Sequence, residues 1–476
     1  MNRQPFFCVL SLFYFVIGGY AQEKWDLKRC VDYALANNIS VKQADLQTRF
    51  SALQLEQNKL SQYPNLSFQG NLGYRFGLSE NPTTGIFESR NFLNAGMNLV
   101  SRLTLFNWFS KKYEIEAAKL SYEADKAQVK KAQDDIALNV AVAYLQALLA
   151  KQQVNISVLQ VQQTITQLDV TRKQVNVGKL PELNATELEA QLARDSSNLI
   201  TAQASVQQLL LQLKALLNLD AAIDFDIAAP PVELIPVESL ADLQPEQVYN
   251  LAVVNLPQQK VNELHLQAAR KTVLSARGSM YPAINAGAGL GNSYVNIKFP
   301  QYGAGPKLPT GATVLINGAE YDVLAPAFIV VGEKGIPLGR QLRNNFGQSI
   351  GLSIDVPIFN GGSLRVNWER SKLNVRQYEL NIERDNQTLK QDIYKAYTDA
   401  VAAIQRFHAN KKGVETAEKA FNFAQKRYNL GLLSTYDIIN SQNNLLRARI
   451  EMLYAQFDYV FKLKLLEFYK GQGLKL

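Results

Sequence analysis

The segment SIGLSIDVPIFNGG, residues 349–362, decides the fold because a strand and the start of a helix meet in it. From Ile350 to Ile358 every second residue is a large aliphatic one, and small residues, polar residues and one proline fill the positions between. Since side chains alternate between the two faces of a strand, this pattern predicts a strand with one apolar face. The Gly361-Gly362 pair then marks the point where the strand passes into a helix.

The same alternation occurs in three other segments of the chain. They are residues 66–76, 95–105 and 284–290. Strands of about ten residues with one apolar face are typical of β-barrels that span a bilayer. A soluble sheet with one buried face is the alternative, because alternation alone does not distinguish lipid from a protein core. The strand pairs with their external loops are predicted to cover residues 66–106 and 283–359.

The chain consists of two copies of one plan. LSQYPNLSFQGNLGY, starting at Leu60, aligns with GSMYPAINAGAGLGN, starting at Gly278. Beyond the strands, LTLFN ending at Asn107 aligns with VPIFN ending at Asn360, at a larger spacing along the chain. The second copy therefore holds an insertion between its two strands. The segment that contains the insertion, residues 298–345, is predicted to be an external loop that partly covers a channel mouth or meets a surface partner.

This duplication defines the predicted domains. They are a first repeat at residues 22–227, a proline-rich linker at 228–245 and a second repeat at 246–476. Residues 1–21 combine a positive start, an apolar run and a small-residue site ending at Ala21, which predicts a cleaved secretory signal. Each repeat is interpreted as a helix, two strands, a long helix and a further helix.

The longest uninterrupted helix is predicted over residues 108–175, which contain neither proline nor glycine. Its apolar residues form two seams at heptad spacing on opposite faces, as in a stave of a helical barrel that packs on neighbours to both sides. It would be about 100 Å long, and the helices predicted over 26–62 and 183–218 roughly 55 Å each. Another helix is predicted over 246–279. These lengths indicate that two short helices, end to end, cover each long one.

Each long helix ends at a glycine corner, VNVGKLPELN around Gly178 and YNLGLLSTYD around Gly431. Glycine adopts the left-handed conformation that closes a helix, and Asn184 or Ser434 is predicted to cap the next helix. The corners are therefore the tips of two helical hairpins. The hairpins cover residues 108–218 and 361–470, and the tip residues are Val177, Gly178, Leu180, Leu430, Gly431 and Leu433.

Composition argues against an enzyme and against a nucleic-acid-binding protein. The two histidines, His265 and His408, lie far apart in the chain, and no standard phosphate-binding, metalloprotease or serine-hydrolase motif occurs. Beyond the signal, Cys30 is the one cysteine, which excludes an internal disulfide. The net charge of +8 comes from basic residues interleaved with acidic ones, which indicates a mixed solvated surface. No cofactor and no metal are expected.

Four antiparallel strands per chain cannot close a barrel, and open sheet edges are not tolerated in hydrocarbon. The chain is therefore predicted to oligomerise, and a trimer with twelve strands is the smallest closure that leaves an open lumen. No stretch of roughly 18 to 20 apolar residues follows the signal, so no transmembrane helix is expected. The predicted fold class is a membrane β-barrel joined to a long α-helical barrel.

Two motifs, together with the duplication, carry a resemblance to a known family. They are P-I-F-N-G-G at residues 357–362 and R-Y-N-L-G-x-x-x-x-x-D-I-x-x-x-Q at residues 427–442. On these grounds the chain resembles the TolC-like outer-membrane efflux proteins. The resemblance implies a trimeric, non-enzymatic channel-tunnel in the outer membrane of a Gram-negative bacterium, with a long periplasmic extension. Its implied partners are outer-membrane lipid, a periplasmic adaptor that docks at the hairpin tips and an inner-membrane pump for efflux or type I secretion.

The resemblance also implies a periplasmic gate at the tips, lined by carboxylates. Tyr428 aligns with the gate tyrosine of the family and Asp437 with its first gate aspartate. Asn440, Leu433 and Asn184 stand where the family has an aspartate, an arginine and another aspartate. These departures remove the charged partners, so Tyr428 and hydrogen bonds of the asparagines are expected to serve instead.

Two interpretations of Asp437 are equally supported. Three copies of this residue would form a narrow acidic ring, in which crowded like charges favour cations. Alternatively, the carboxylate only interacts with the dipole of the helix in whose first turn it lies.

The predicted strand-to-helix joints are Pro357, Gly361 and Gly362 in the second copy and Trp108 in the first, which lacks the glycine pair. A structural or adhesive envelope protein, with a coiled-coil spacer anchored by its strands, is the alternative function because heptads alone permit it. The duplicated strands, the matched helix lengths and the joint motif favour an export duct.

Overall fold

The computed structural model describes residues 24–80, 86–89, 91–228 and 238–471. The predicted signal, residues 1–21, and the proline-rich part of the linker lie outside these residues. The chain forms two compact units, which we call the helical unit and the strand unit. The helical unit comprises Met1–Ser51, Leu120–Leu266 and Gln377–Leu476, and the strand unit comprises Ala52–Lys119 and Gln267–Arg376.

The helices of the described residues repeat in length as the duplication predicts. Helices α3 and α8 have 67 residues each, and α4 and α9 have 36 and 35. The helices are α1 (Leu27–Asn37), α2 (Ile39–Leu60), α3 (Ser110–Asn176), α4 (Glu182–Leu217), α5 (Pro245–Asn255), α6 (Pro257–Gly278), α7 (Leu338–Asn344), α8 (Ser363–Asn429) and α9 (Thr435–Tyr469). None of the helices in the described ranges is both long enough and apolar enough to cross a membrane.

The four strands predicted from alternation are all present. The strands are β1 (Asn65–Arg75), β2 (Leu78–Glu80), β3 (Phe87–Ser89), β4 (Phe92–Phe106), β5 (Ala283–Val295), β6 (Lys298–Ile316), β7 (Ala319–Gly335) and β8 (Gly347–Asp355). Strand β8 ends before the predicted limit of Ile358, because Pro357 has no N–H to donate to a sheet.

Strands β1, β4, β5 and β8 form one antiparallel sheet in that order. The β4–β5 pair joins the two repeats, and its register places Leu99 opposite Leu290. The alternation gives this sheet one apolar face, on which Phe68 pairs with Leu99. The side chains of this face are strongly exposed in the single chain, with 90% of Ile350 and 74% of Leu72 accessible. Strands β1 and β8 are the two edges of the sheet.

The prediction that residues 298–345 form a loop is wrong, whereas their external position stays a prediction. Strands β6 and β7 form a long two-stranded sheet, which we call the ribbon, and helix α7 follows it. The connecting residues Asn317 and Gly318 have φ angles of 51° and 84°, as in the Asn-Gly turns that match the twist of a hairpin. Three register shifts interrupt the pairing, which explains why the sequence lacks a clean alternation here.

The prediction of one continuous helix over 26–62 and another over 246–279 is also wrong. Each of these segments forms two helices, and the break lies about one third of the way along it. Between α1 and α2, the Asn38 side-chain oxygen accepts a hydrogen bond of 2.8 Å from the Ser40 N–H, which caps the second helix. Between α5 and α6, Pro257 takes the first position of the new helix, where its missing N–H costs nothing. The two repeats thus interrupt their first helix at matching positions, the first by an asparagine cap and the second by a proline.

The strand-to-helix joints show a second difference between the copies. Gly361 and Gly362 have φ angles of 68° and 79°, in the left-handed region that glycine tolerates. Trp108 and Phe109, at the same positions of the first copy, adopt the same conformation with φ angles of 52° and 62°, so helix α3 begins two residues later than predicted. The ring of Trp108 lies 5.0 Å from that of Tyr281, and this aromatic packing compensates for the strained backbone.

The core of the helical unit lies along the first predicted heptad seam of α3. Along this seam Ile136, Val140, Ala143, Ala147 and Ala150 are all buried. They pack in a cluster with residues of α1, α4 and α9. On the opposite seam Leu138, Val142 and Leu149 are half-buried in the single chain, whereas Leu145 is buried.

Candidate gate at the hairpin tips

The two glycine corners close their helices in the same way. Gly178 and Gly431 have φ angles of 73° and 75°. At the first corner the N–H of Gly178 donates to the Val175 carbonyl at 2.8 Å, and the N–H of Lys179 donates to the Gln174 carbonyl at 2.9 Å. This pair of bonds is the Schellman arrangement, which satisfies the last carbonyls of a helix.

The second corner repeats the arrangement in the second hairpin. The N–H of Gly431 donates to the Tyr428 carbonyl at 2.9 Å, and the N–H of Leu432 donates to the Arg427 carbonyl at 2.8 Å. Both tips expose large apolar side chains, with 77% of Val177 and 73% of Leu430 accessible. Leu180 and Leu433 are half-buried.

The helices that follow the corners begin differently. Ser434 caps α9 as predicted, since its hydroxyl accepts a hydrogen bond from the Asp437 N–H at 3.1 Å. The prediction that Asn184 caps α4 is wrong. Pro181 is the N-cap residue there, without a side-chain bond, and its carbonyl accepts from the Asn184 N–H at 3.1 Å. Proline has the backbone angle that a helix entry needs, so the cap lies one turn earlier than predicted.

The Asp437 side chain is exposed and lies in the first turn of α9. One carboxylate oxygen accepts a hydrogen bond of 2.6 Å from the Ser434 hydroxyl, so the two residues bond each other reciprocally. Asn440 is exposed and Asn184 is half-buried. The carboxylate therefore interacts with the helix end and also faces solvent, as both interpretations of this residue require.

Tyr428 is buried, with 6% of its surface accessible, and connects three helices. Its hydroxyl lies 2.9 Å from the Thr171 hydroxyl oxygen on α3 and 3.3 Å from that of Thr435 on α9. Thr171 belongs to the first hairpin and Tyr428 to the second, so this bond ties the two hairpins of one chain together. Both contacts of the Tyr428 hydroxyl are with neutral hydroxyl groups.

A second buried polar cluster, which sequence reasoning missed, lies deeper in the same unit. Asp195 on α4 is 2% exposed. It accepts hydrogen bonds from the Thr164 hydroxyl at 2.7 Å and from the Gln191 amide at 2.8 Å. The Gln442 amide of α9 donates to Thr164 at 2.9 Å, and Gln191 donates to the Asn443 oxygen at 3.1 Å. The cluster joins both helices of the first hairpin to α9.

One sequence signal could have indicated this cluster. The buried residues of α4 recur at helical spacing, and Gln191 and Asp195 occupy two of these mostly apolar positions. Polar residues on a buried stripe are retained where they specify which partners pack together. No group of three or more His, Cys, Asp or Glu side chains suited to a metal ion occurs in the residues that the structure describes.

Comparisons with known proteins identify the family. The sequence pattern of the family described as "Outer membrane efflux protein" matches residues 30–219 and 339–471, which together make up more than half of the chain. The chain belongs to the outer membrane efflux protein family. It is therefore an outer-membrane channel protein of Gram-negative bacteria with a long periplasmic helical part.

Individual relatives of this efflux protein are distant. It is 20% identical over 358 residues to the outer membrane efflux protein BepC of Brucella suis, covering 75% of this chain and 67% of BepC. It is 22% identical over 335 residues to the outer membrane protein TolC of Escherichia coli, covering 69% of this chain but 59% of TolC. A solved structure of CusC shares its fold with a TM-score of 0.75, at 17% identity and over 94% of this chain and 92% of CusC.

The buried cluster of this efflux protein makes a stability prediction. Asp195→Ala removes the acceptor of the Thr164 hydroxyl and of one N–H of the Gln191 amide, so the free energy of unfolding is expected to fall by about 1–3 kcal/mol. The matched control is Asp169→Ala, which removes a carboxylate that is exposed and paired only with Lys173 four residues away. This control is expected to cost at most about 0.5 kcal/mol. Urea unfolding of the purified protein measures both, and equal losses would contradict a structural role for the cluster.

Proposed function

We propose that three copies of this chain assemble into a closed channel that serves as the exit duct of a tripartite efflux or type I secretion system. The observation that carries the proposal is the sheet β1–β4–β5–β8, which combines two open edges with one exposed apolar face. In water such a face is unfavourable, but in a bilayer it contacts lipid. The polar face, which carries Gln69 and Ser353, would line the lumen.

The open edges determine how many copies are needed. Strands β1 and β8 each have a row of backbone N–H and C=O groups without a partner strand in the sheet, and hydrocarbon cannot satisfy them. Pairing β8 of one copy with β1 of the next satisfies both rows. Three copies give twelve strands, enough for a barrel with an open lumen.

The helical unit supports the same assembly. A groove between α3 and α9 is lined by Val142, Leu145 and Leu149 on one side and by Tyr454 and Phe461 on the other. Two of its residues, Val142 and Leu149, belong to the second seam of α3 and are half-buried in one chain. Helices of neighbouring copies would cover this groove, as staves cover one another in a helical barrel.

The exposed tips fit the docking of a periplasmic adaptor, which would connect the duct to an inner-membrane pump. The apolar side chains of Val177 and Leu430, together with the glycines beside them, would offer a small apolar surface at each of the six tips of a trimer. One relative is named as an alkaline protease secretion protein and another as a probable outer membrane lipoprotein, SilC. A duct of this kind takes its cargo from the pump, so the proposal names no cargo.

The gate would lie between the tips. The bond of Tyr428 to Thr171 holds the two hairpins of a chain together, so its loss is required before the hairpins of one chain move apart. Asp437 would add one carboxylate per chain at the aperture. Asn184, its counterpart in the first copy, adds none.

The duct predicts ion conduction. The purified oligomer in a planar lipid bilayer is expected to show stable single-channel currents, because a closed barrel with a polar lumen conducts ions. Tyr428→Phe is expected to raise the open fraction, since it removes the hydroxyl that joins the hairpins and keeps the ring. Tyr436→Phe is the matched control, because this neighbouring tyrosine is 65% exposed. An oligomer that inserts without conducting would favour a structural envelope protein and contradict the duct.

The acidic ring predicts opposite effects of two substitutions. Asp437→Asn is expected to reduce the preference of the channel for cations, and Asn184→Asp to increase it, because they remove and add carboxylates at equivalent positions. Asp45→Asn is the control, since this carboxylate is exposed on α2. Reversal potentials in a salt gradient measure the preference. Unchanged potentials for Asp437→Asn would limit the residue to its bond with Ser434.

A further inference from the structure

The ribbon is the largest feature that the efflux function leaves unexplained. It contains the insertion by which the second repeat exceeds the first. The residues that match the family, 30–219 and 339–471, do not include it. Its two strands pair with each other as a separate sheet.

The two faces of the ribbon differ in charge. Side chains of β7 alternate between the faces, and the cross-strand pairs Val314 with Tyr321 and Leu308 with Ala325 lie on the same one. We call this the apolar face. Its large members are Leu308, Val314, Ile316, Tyr321, Val323, Ile329 and Val331, each of which is between 42% and 61% exposed.

All the charged residues between Gly303 and Val331 lie on the opposite face. They are Lys307, which pairs with Pro326, Glu320, which pairs with Leu315, and Asp322, which pairs with Thr313. The apolar face thus runs along most of the ribbon without a single charge. A ribbon of two strands is at best marginally stable alone in water, so an uncharged face of this length needs cover.

Two glycines make the apolar face continuous. A Cβ atom at Gly303 would lie 2.6 Å from a methyl carbon of Val331, and one at Gly305 would lie 2.8 Å from a methyl carbon of Ile329. The side chains of β7 therefore cover the places where β6 has none. The face therefore has few projecting side chains at these positions, so another sheet can approach it closely.

Prolines direct any contact to the face rather than to the edges. Strand β6 contains Pro300, Pro306 and Pro309, and β7 contains Pro326. A proline has no backbone N–H to donate, and prolines in edge strands are one way in which natural sheets discourage pairing at an edge. A partner therefore packs on the side chains of the ribbon instead of extending its hydrogen bonding.

The base of the ribbon is fixed to the sheet that the copies would share. The Gln341 amide of α7 donates to the carbonyl oxygens of Val295 and Ile336 at 2.9 Å each, and its oxygen accepts from the Val295 N–H at 3.0 Å. Asn345 donates to the Ser293 carbonyl at 2.7 Å. Val295 ends β5, and β5 pairs with the edge strand β8. Closure of the barrel would therefore place three ribbons at the same end of one barrel.

We propose that the apolar face of each ribbon packs against the same face of the other ribbons in the trimer. The inference rests on the proposed trimeric assembly. Copies of one uncharged face approach each other without repulsion, and three of them bury an apolar core between them. The interaction holds the copies together independently of the strand edges.

The test uses cysteines at two neighbouring positions that lie on opposite faces. Val314→Cys and Leu315→Cys differ by one residue, and the wild-type side chains are 45% and 67% exposed. The native thiol does not interfere, because Cys30 is fully buried and its burial raises the pKa to about 12. With a short bismaleimide, Val314→Cys is expected to convert most chains of the purified oligomer to covalent dimers. Leu315→Cys is expected to give only background levels.

The outcomes separate this inference from the assembly on which it rests. The native mass of the uncross-linked protein reports the trimer, and a monomeric wild type would defeat the proposed assembly itself. If the trimer is intact and both cysteines cross-link equally, or neither does, the face-to-face packing of the ribbons is wrong. As a second measurement, Ile329→Lys is expected to lower the dissociation temperature of the trimer, whereas Thr313→Lys on the charged face leaves it unchanged. Equal effects would also overturn the packing.

Discussion

The unpaired backbone of two strands is the constraint on which the rest of this structure depends. The sheet β1–β4–β5–β8 ends in two open edges, and its apolar face exposes nearly all of Ile350. Water is a poor solvent for that face, and lipid cannot satisfy those edges. In the proposed assembly, pairing with further copies of the chain in a bilayer would resolve both problems at once. The half-buried side chains of Val142 and Leu149 on α3 would be covered in the same assembly.

The two repeats share one architecture, but they differ at the strand-to-helix joints and at the hairpin tips. At the joints, Gly361 and Gly362 adopt a left-handed backbone at little cost, whereas Trp108 and Phe109 adopt it with the support of aromatic packing. At the tips both corners close identically, but one has a serine cap with a carboxylate and the other a proline cap. A buried polar contact also joins the two repeats of one chain, since Tyr428 of the second hairpin bonds to Thr171 of the first.

The sequence predicts those features whose cause is local. The alternation of residue types around Ile350 predicts a strand, because the two faces of a strand lie in different environments. The long helix α3 is predicted because its sequence contains neither glycine nor proline. The Asp195 cluster cannot be predicted from a local pattern, because its members Thr164 and Gln442 lie on two other helices and only folding brings them together. The sequence of the ribbon resembles that of a loop, because bulges and prolines interrupt the alternation of apolar and polar residues. The helix break at Asn38 depends on one side-chain bond, which a periodic pattern does not reveal.

The number of chains in the native particle tests the account most directly. Native mass spectrometry of the purified full-length protein, released from detergent micelles in the spectrometer, measures that number without labels. The account predicts a particle of three chains, since three sheets of four strands close a barrel with a lumen and leave no edge open. A folded monomer that is stable in the micelle, or a particle of two chains, would contradict it.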